Sequence, residues 1–228
     1  MAAKETALSI RRNFQRADRE LVEKFSGLPT GNVCDAQGRV GALDYRIKPV
    51  GGAAQFCGTA LTVDSGPRDN LAAWAALDVA KPGDIILIAT GGHLASSVVG
   101  DLYVGMAKNA GVAGIVTDGV VRDLPGINAV GIPVFARGIC PNSPWKNGPG
   151  SVGTTIVIGG AAVTAGDIVV GDQDGVVIVA QQTAAAASAA LKAVLNKEQT
   201  MEAAVKAGRT VPAWLKEAYE TKGVVYLD

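Results

Sequence analysis

Histidine and cysteine are scarce in this sequence, and their scarcity limits the kinds of metal site and catalytic site that it can form. The only histidine is His93, and the three cysteines, Cys34, Cys57 and Cys140, are widely spaced with no CxxC pair. One histidine cannot form a multi-histidine zinc site or a network of histidine bases. We therefore expect reduced thiols, a cytoplasmic protein, and a hydrogen-bonding or solvent-facing role for His93.

Net charge and long apolar runs are also lacking. Lysine plus arginine and aspartate plus glutamate both number 21, which leaves no electrostatic footprint for DNA, RNA or an anionic membrane. No apolar run reaches the roughly 18 residues of a membrane span, and residues 1–25 carry charges where a signal peptide needs an apolar region. The sequence predicts neither a nucleic-acid partner nor a membrane partner.

Nucleotide-binding motifs are absent or misplaced. No Walker-type G-x-x-x-x-G-K-[ST] occurs, and GPGSVG at 148–153 precedes a strand-like TTIVI where a dinucleotide fold needs a helix. No lysine lies in a context that favours a Schiff base. What remains is carboxylates, one arginine and backbone amides around a Gly-rich loop. Oxygen ligands of this kind suit a hard divalent cation, Mg²⁺ or Mn²⁺.

Alternating strand and helix patterns predict an α/β fold. Residues 56–63 and 85–90 have strand character, and residues 69–80 between them are helix-like. The order strand, helix, strand, Gly-rich loop, helix, strand is typical of α/β proteins. Residues 154–179 contain short β runs separated by Gly and Asp turns, so we expect a mixed sheet or two stacked sheets.

Both ends of the chain are predicted to be helical. Residues 1–27 carry charges with apolar residues at helical spacing, which predicts an N-terminal helical arm. Residues 183–228 form a C-terminal helical extension that is rich in alanine and poor in large apolar residues. Because this extension cannot build its own core, we expect it to pack on neighbouring subunits. The whole chain, 1–228, is predicted to be a single domain.

The segment 91–123 is the strongest candidate for a functional site. Asp101 opens the helix-like run DLYVGMAKNA, the buried-strand pattern VAGIVT follows, and Arg122 and Asp123 close the segment. A helix of about nine residues covers ~14 Å, and a returning strand of about six residues covers ~20 Å. The helix start and the strand end therefore lie at one edge. Asp101, Arg122 and Asp123 are predicted to converge there, although twenty residues separate Asp101 from Arg122.

Each of these three charges also has an ordinary structural explanation. Asp101 and Asp123 suit helix starts, and Arg122 suits a surface ion pair. A mutual salt bridge explains Arg122 and Asp123 poorly, because adjacent side chains on a helix or strand do not face each other well. A turn would aim both into one pocket. Since glycines before Asp101 also free the backbone to approach a ligand, we favour a functional site.

The segment 91–123 resembles the D-x20-R-D signature of the divalent-metal (class II) 4-hydroxy-4-methyl-2-oxoglutarate / 4-carboxy-4-hydroxy-2-oxoadipate aldolases, relatives of the regulator of ribonuclease E activity A. Asp101, twenty intervening residues, Arg122 and Asp123 match it without a gap. Other similar blocks are NVCDAQGRVGAL, CGTALTV, DNLAAWAALDVAKPGD, VGIPVFA and AGDIVVGDQDGVVIVA. The resemblance covers roughly residues 28–228.

This resemblance implies a fold, an assembly and roles for the charges. The fold would be an αββα sandwich with mixed sheets, like the swivelling phosphohistidine domain, assembled as a homotrimer or homohexamer. Asp123 would bind the metal and Asp101 would hold metal-bound water. Arg122 would contact the keto or enolate oxygen of the pyruvoyl part of the substrate.

The resemblance also implies further binding and catalytic groups. The backbone amides of Gly100, Leu102 and Tyr103 would bind the substrate carboxylate, which fits anion binding at a helix start. A glutamate from the C-terminal helix of the adjacent subunit would join the catalytic residues. Glu198 is the best match for that glutamate, and Glu202 is the second.

The implied reaction is retro-aldol cleavage in aromatic-compound degradation by protocatechuate 4,5-cleavage. The small 2-oxo acid 4-carboxy-4-hydroxy-2-oxoadipate would give pyruvate and oxaloacetate, and 4-hydroxy-4-methyl-2-oxoglutarate would give two pyruvates. We favour the carboxylated substrate with both accepted, and we expect secondary oxaloacetate decarboxylation through the same enolate. The alternatives are a non-catalytic binding protein like the ribonuclease regulator and a dedicated oxaloacetate decarboxylase. The intact pair Arg122 and Asp123 favours the enzyme.

Two positions depart from the family pattern. The usual PGDN block reads PRDN at 67–70, and Trp74 stands where a histidine is common. We expect Arg68 to alter substrate preference or a subunit contact.

Overall fold

The structure is a computed structural model that describes residues 7–227. None of the helices in this range is long and apolar enough to cross a bilayer. The helices are α1 (Arg19–Glu23), α2 (Thr30–Ala36), α3 (Leu71–Ala76), α4 (Asp101–Asn109), α5 (Leu124–Val130), α6 (Ala184–Lys206) and α7 (Trp214–Lys222). The strands are β1 (Leu8–Ile10), β2 (Lys48–Gly51), β3 (Phe56–Asp64), β4 (Asp84–Ala89), β5 (Gly114–Thr117), β6 (Val134–Ala136), β7 (Gly150–Val152), β8 (Ile156–Ile158), β9 (Ala161–Val163), β10 (Ile168–Asp172) and β11 (Gly175–Val179).

A parallel β-α unit forms the centre of the fold. β3, β4, β5 and β6 lie side by side in that order and run parallel, with α3, α4 and α5 as their connections. Antiparallel neighbours extend this sheet: β2 beside β6, β7 beside the second half of β3, and β10 with β11 beside its first half. The prediction of α/β order followed by a meander in a mixed sheet is therefore confirmed.

Strand alternation divides the interior into three apolar cores. On β4, Ile86 faces the core beneath α3, α4 and α5, whereas Ile85 faces a middle core. On β10, Val169 faces the same middle core, whereas Val170 packs in a third core with α2 and α6. Since successive residues of a strand point to opposite faces, these cores define layers in the order helix, strand, strand, helix. The predicted αββα sandwich is confirmed, and its likeness to the swivelling phosphohistidine domain stays a prediction.

The predicted N-terminal helical arm is wrong over most of its described part. β1 pairs in parallel with β7, and helix is restricted to α1. Arg16, between them, donates from Nε and Nη2 to the two carboxylate oxygens of Asp84, each at 2.8 Å. If this segment were helical, β1 could not pair with β7, and that pairing provides hydrogen bonds for the backbone N–H and C=O groups of β1. Residues 1–6 of the predicted arm lie outside the described range.

The predicted C-terminal helices are confirmed as α6 and α7. The start of α6 packs in the third core through Ala184, Ala187 and Leu191. No residue of α6 beyond Leu191 is buried, and α7 buries none. The segment after α7 exposes Val225, Tyr226 and Leu227. Packing of this extension on a neighbouring subunit stays a prediction.

Candidate functional site

The two halves of the predicted site follow the carboxyl ends of β4 and β5. Asp101 lies after β4, and Arg122 and Asp123 lie after β5. The chain after β4 and the chain after β5 run side by side, with a parallel bridge between Ser97 and Val120. The Val98 N–H donates to the Val120 carbonyl at 2.8 Å, and the Arg122 N–H donates to the Val99 carbonyl at 3.1 Å. This pairing places the starts of α4 and α5 next to each other. The predicted convergence of Asp101 with Arg122 and Asp123 is confirmed.

Each carboxylate lies against a glycine at the start of the other helix. A Cβ atom on Gly100 would overlap Asp123 Oδ2, and a Cβ atom on Gly126 would overlap Asp101 Oδ2. Only glycine therefore allows both carboxylates to lie where they do. Asp123 itself adopts the left-handed conformation, with φ of 61°, before α5 begins. Such a conformation costs a non-glycine residue about 1–2 kcal/mol and is often found at functional sites.

Arg122 donates hydrogen bonds to side chains from two different segments of the site. Its Nε donates to Asp123 Oδ2 at 3.1 Å, and its Nη1 donates to Ser143 Oγ at 2.6 Å. The expected turn does aim both side chains into one pocket, but Arg122 and Asp123 also form the mutual ion pair that their adjacency made unexpected. The left-handed turn at Asp123 brings the two side chains together, which neither helix nor strand geometry would do. Their side chains are 39% and 41% exposed, so both remain available to a ligand.

The first turn of α4 presents backbone amides and a carboxylate to the same space. The Leu102 N–H donates to Asp101 Oδ1 at 2.8 Å, so a substrate carboxylate that used this amide would compete with Asp101. Tyr103 contributes only its backbone, because its side chain is buried and its hydroxyl donates to the Ala73 carbonyl at 2.9 Å. Burial raises the pKa of that phenol far above its ordinary value. The predicted role of the Gly100, Leu102 and Tyr103 amides stays a prediction.

These residues line one pocket, together with side chains that the sequence did not indicate. The predicted members are Gly100, Asp101, Leu102, Tyr103, Arg122 and Asp123. The additional wall contains Asn70 and Trp74 from the α3 region, and Ser143 and Lys146 from the loop before β7. The Trp145 N–H donates to the Arg68 carbonyl at 2.8 Å, which holds this loop against the start of α3. Trp74, one of the two departures from the family pattern, therefore borders the pocket.

Two polar atoms of this wall lack a hydrogen-bond partner within residues 7–227: Asn70 Oδ1 and Trp74 Nε1. Asn70 Nδ2 donates to the Val98 carbonyl at 2.8 Å, which determines the orientation of the amide. The Trp74 ring packs edge-on against Tyr103, with centroids 5.2 Å apart. Both atoms are buried from solvent, and a buried polar group without a partner carries a desolvation cost.

The donor set suits a hard divalent cation held by few protein ligands. Within residues 7–227 no group of three or more His, Cys, Asp or Glu side chains could hold a metal ion. Mg²⁺, however, is commonly bound through one or two carboxylates, with waters and substrate oxygens completing its shell. One hydrogen bond from the described residues reaches each of Asp101 and Asp123, which leaves carboxylate oxygens free. Asp101 and Asp123 therefore fit such an ion.

The two candidate glutamates lie away from this pocket in their own chain. Glu198 accepts a hydrogen bond from Asn32 Nδ2, and Glu202 lies 3.6 Å from Lys206 Nζ. Both belong to α6, in the helical layer opposite α4 and α5, and the two strand layers intervene. Neither can complete the pocket of the chain that carries it.

The remaining candidates lie outside the pocket, and the predicted subunit contact of Arg68 stays a prediction. His93 Nε2 lies 3.2 Å from Ser96 Oγ, so the predicted hydrogen-bonding role is confirmed. Arg68 is exposed and does not line the pocket, and its left-handed φ of 65° explains why glycine suits this position. Burial raises the pKa of the Cys57 thiol to about 12, and burial with the nearby Asp35 charge raises that of Cys34. Neither thiol has the thiolate character of a nucleophile.

Comparison with known proteins extends these observations. The RraA-like family, described as Aldolase/RraA, matches residues 30–178. A Halalkalibacterium halodurans protein provisionally named as a 4-hydroxy-4-methyl-2-oxoglutarate aldolase is 37% identical over 159 residues, which are 70% of this chain and 76% of that protein.

Solved structures share the fold over much of the chain. An uncharacterized protein from Pseudomonas syringae pv. tomato superimposes with a TM-score of 0.76 at 26% identity, covering 86% of this chain and 97% of that one. The RNA-processing inhibitor RraA from Thermus thermophilis has a TM-score of 0.62 at 28% identity, covering 67% and 92%. The family match spans more than half of the sequence and includes the whole pocket-forming segment 91–123. The chain belongs to the RraA-like, Aldolase/RraA family.

Proposed function

We propose that this protein is a divalent-metal-dependent aldolase that cleaves 4-hydroxy-2-oxo acids to pyruvate and a second carbonyl product. The substrates would be 4-carboxy-4-hydroxy-2-oxoadipate, which we favour, and 4-hydroxy-4-methyl-2-oxoglutarate. The observation that carries this proposal is the meeting of Asp101, Arg122 and Asp123 at two adjacent helix starts, each carboxylate seated on a glycine of the other helix. The name of the Halalkalibacterium halodurans relative supports the same activity.

The reaction needs a proton acceptor and an electron sink. The C4 hydroxyl loses its proton, the C4–O bond becomes a carbonyl, the C3–C4 bond breaks, and its electron pair moves to the C2 oxygen as an enolate. A water held by Asp101 accepts the proton and later returns one to C3, which completes pyruvate. General acid–base catalysis of this kind contributes roughly 10²- to 10⁴-fold. Arg122 places its guanidinium beside the C2 oxygen, where negative charge develops.

A divalent cation would be held by Asp123 directly and by Asp101 through a water. When bound, this cation supplies a Lewis acid at the C2 oxygen. Because Nε of Arg122 already donates to Asp123 and Nη1 to Ser143, the chain contributes Nη2 and the second N–H of Nη1. The amides of the first turn of α4 point toward the start of that helix, where a carboxylate is stabilised. Gly100, Leu102 and Tyr103 would bind the C1 carboxylate in this way.

The site is completed by a second subunit in this proposal. The exposed half of α6 carries Glu198 and Glu202 in the layer opposite the pocket, so either could reach only the pocket of another copy. The exposed apolar side chains of the C-terminal extension also favour burial on a neighbour. We therefore propose a homotrimer or homohexamer in which Glu198 is the contributed residue. A monomeric mass by light scattering would contradict this arrangement.

Two other functions share these residues. A dedicated oxaloacetate decarboxylase would form the same enolate, and we propose this decarboxylation as a secondary activity. The second is a non-catalytic binding protein, which we consider because the RraA of Thermus thermophilis, named an RNA-processing inhibitor, has the same fold. The half-exposed Arg122 and the free carboxylate oxygens beside it favour catalysis over a purely structural surface.

One assay separates these functions. Pyruvate release is measured by a coupled lactate dehydrogenase assay with both hydroxy-oxo acids and with oxaloacetate, after EDTA treatment and after addition of Mg²⁺ or Mn²⁺. The proposal predicts cleavage that is lost with EDTA and restored by the cation. Pyruvate from oxaloacetate alone would indicate the decarboxylase, and no turnover of any substrate would favour a binding protein. Activity that survives EDTA would contradict the metal requirement.

A further inference from the structure

Ser143 is a pocket residue without a role in the mechanism above. It lies in the loop before β7, and its exposed side chain borders the pocket together with Arg122 and Asp123. Its Oγ accepts a hydrogen bond of 2.6 Å from Arg122 Nη1. This contact joins the loop directly to the arginine that the proposed mechanism places at the C2 oxygen of the substrate.

Two contacts from different segments hold the guanidinium of Arg122. Its Nε donates to Asp123 Oδ2 at 3.1 Å, and its Nη1 donates to Ser143 Oγ at 2.6 Å. Because the guanidinium is a rigid plane, contacts at two of its nitrogens restrict both its position and its rotation. One N–H of Nη1 and both N–H groups of Nη2 stay available to a ligand. The Ser143 contact therefore orients the donors that remain.

Ser143 is itself held by the chain that leads into α4. The Ser143 N–H donates to Asn142 Oδ1 at 3.0 Å, and Asn142 Nδ2 donates to the Ala95 carbonyl at 3.1 Å. The Asn142 carbonyl accepts hydrogen bonds from the Ser97 N–H at 2.9 Å and from Ser97 Oγ at 2.7 Å. Supporting hydrogen bonds of this kind keep a functional side chain close to one geometry. The acceptor for Arg122 is thus anchored to the backbone of the site.

We propose that Ser143 is a positioning residue that holds the Arg122 guanidinium where the C2 oxygen of the substrate becomes negatively charged. This inference rests on the proposed aldolase function. As the C3–C4 bond breaks, its electron pair moves to the C2 oxygen, and Arg122 stabilises the enolate. Ser143 transfers no proton, since it acts only as the acceptor for Nη1. A donor that is free to move away from the developing charge stabilises it less, so loss of Ser143 weakens the contribution of Arg122.

Steady-state kinetics of the metal-loaded enzyme tests this role. Ser143→Ala removes the acceptor, and kcat for cleavage of 4-hydroxy-4-methyl-2-oxoglutarate should fall about tenfold, with a smaller change in KM. The fall is less than the about 10²- to 10³-fold expected for loss of Arg122, because the Asp123 contact remains. Ser143→Thr keeps the hydroxyl and should restore most of kcat. Ser26→Ala, an exposed serine outside this pocket, is the control and should leave kcat unchanged.

A double-mutant cycle separates positioning from an independent effect. If Ser143 acts through Arg122, Ser143→Ala should not slow an enzyme that already carries Arg122→Ala. If the two residues acted independently, the two losses would multiply, and the double variant would be about tenfold slower than Arg122→Ala alone. A general disturbance of the loop would also give this second result, because it does not require the Arg122 side chain.

Oxalate tests the same arrangement without turnover. Its two adjacent carboxylates imitate the C1 carboxylate and the charged C2 oxygen of the pyruvate enolate. In calorimetric titrations of the Mg²⁺-loaded protein, Ser143→Ala should bind oxalate about tenfold more weakly than the wild type. Its affinity for pyruvate, whose C2 oxygen carries no full charge, should change less. Ser143→Thr should restore the affinity for oxalate.

Three outcomes would overturn the proposal. In the first, Ser143→Ala keeps a normal kcat while the wild type cleaves the substrate, so the positioning role fails and the aldolase function stands. In the second, Ser143→Ala slows the Arg122→Ala enzyme about tenfold. In the third, the wild type and Ser143→Ala bind oxalate equally, or neither binds it. If the wild type cleaves no hydroxy-oxo acid but the oxalate results are as expected, the aldolase function fails while the positioning role stands.

Discussion

Two arginine–aspartate pairs in this protein differ in how completely each aspartate is satisfied. Arg16 and Asp84, 68 residues apart, form two 2.8 Å hydrogen bonds, with side chains 18% and 1% exposed. Asp84 also accepts the Lys81 N–H at 2.8 Å. Arg122 and Asp123, adjacent in sequence, share one contact of 3.1 Å and are about two-fifths exposed. The first pair has little hydrogen-bonding capacity left, whereas the second has most of it free.

The difference separates a structural ion pair from a ligand site. A buried charge needs its partners within the protein, because removing one partner leaves the other unpaired in a low-dielectric interior. A half-exposed pair contributes little to stability, since water screens it and can replace it. Free lone pairs and donors beside a pocket can instead bind substrate or a cation. Mutations in the two pairs should therefore affect different properties.

The largest expected effect is on catalysis at Arg122. Arg122→Ala removes the donor at the C2 oxygen, and loss of one such donor lowers kcat by about 10²- to 10³-fold. The free energy of unfolding should change by no more than about 1 kcal/mol, because the ion pair is half-exposed. Steady-state cleavage assays and urea unfolding measure the two quantities. Arg12→Ala, an exposed arginine outside the pocket, is the control, and a near-normal kcat for Arg122→Ala would contradict its assignment.

The next effect is on stability at Asp84. Asp84→Asn removes one charge of a buried pair and should lower the free energy of unfolding by about 3–5 kcal/mol. Urea unfolding at constant pH measures it. Asp78→Asn is the matched control, because the Arg12–Asp78 pair is 71% and 66% exposed and should be worth about 0–1 kcal/mol. Equal losses for the two variants would show that burial does not distinguish these pairs.

The smallest effect concerns Asp44, an intermediate case with pH-dependent stability. Hydrogen bonds from Arg46, and a further one from Arg137, hold the pKa of Asp44 below its ordinary value. A depressed folded-state pKa stabilises the protein above the unfolded pKa of about 3.9, and the contribution is lost as pH falls toward the folded value. The stability difference between wild type and Asp44→Asn should be constant from about pH 8 to 5 and shrink below about pH 4.

The control for the pH experiment is Glu23→Gln. Glu23 pairs with Arg19 on the surface, with side chains 61% and 91% exposed, so its removal should matter little at any pH. A difference for Asp44→Asn that persists unchanged below pH 4 would show that geometry, and not charge, makes Asp44 stabilising. Thermal or urea unfolding across the pH range measures both variants.

Local patterns predicted the central unit well and the N-terminal segment poorly. The patterns of β3, β4, α3 and α4 are local. Each element shows its apolar run or its helical spacing within its own residues. β1 owes its conformation to β7, with Leu8 opposite Gly150. The spacing of apolar residues within residues 1–27 contains no information about pairing with β7, which is distant in sequence. Local periodicity therefore predicts a helix for this charged segment, and the pairing of β1 with β7 overrides that preference.

The candidate site shows the same division. The spacing of Asp101, Arg122 and Asp123 was enough to predict their convergence, because a helix and the following strand return the chain to one edge. Their mutual contact was not predictable, since it depends on the left-handed backbone of Asp123. Ser143 and Lys146 come from a loop without periodicity, and hydrogen bonds to the chain near Arg68 and near Ser97 bring that loop to the pocket.

The sequence by itself determined the α/β class, the order of the central strands and helices, and the meeting of three charges at one edge. These follow from periodicities of two and 3.6 residues and from short connections, which are local properties. Only the tertiary structure decided that Gly100 and Gly126 seat the two carboxylates and that Asn70 and Trp74 form the opposing polar wall. Such contacts join segments from different layers or strands, and their geometry depends on packing that no local pattern encodes.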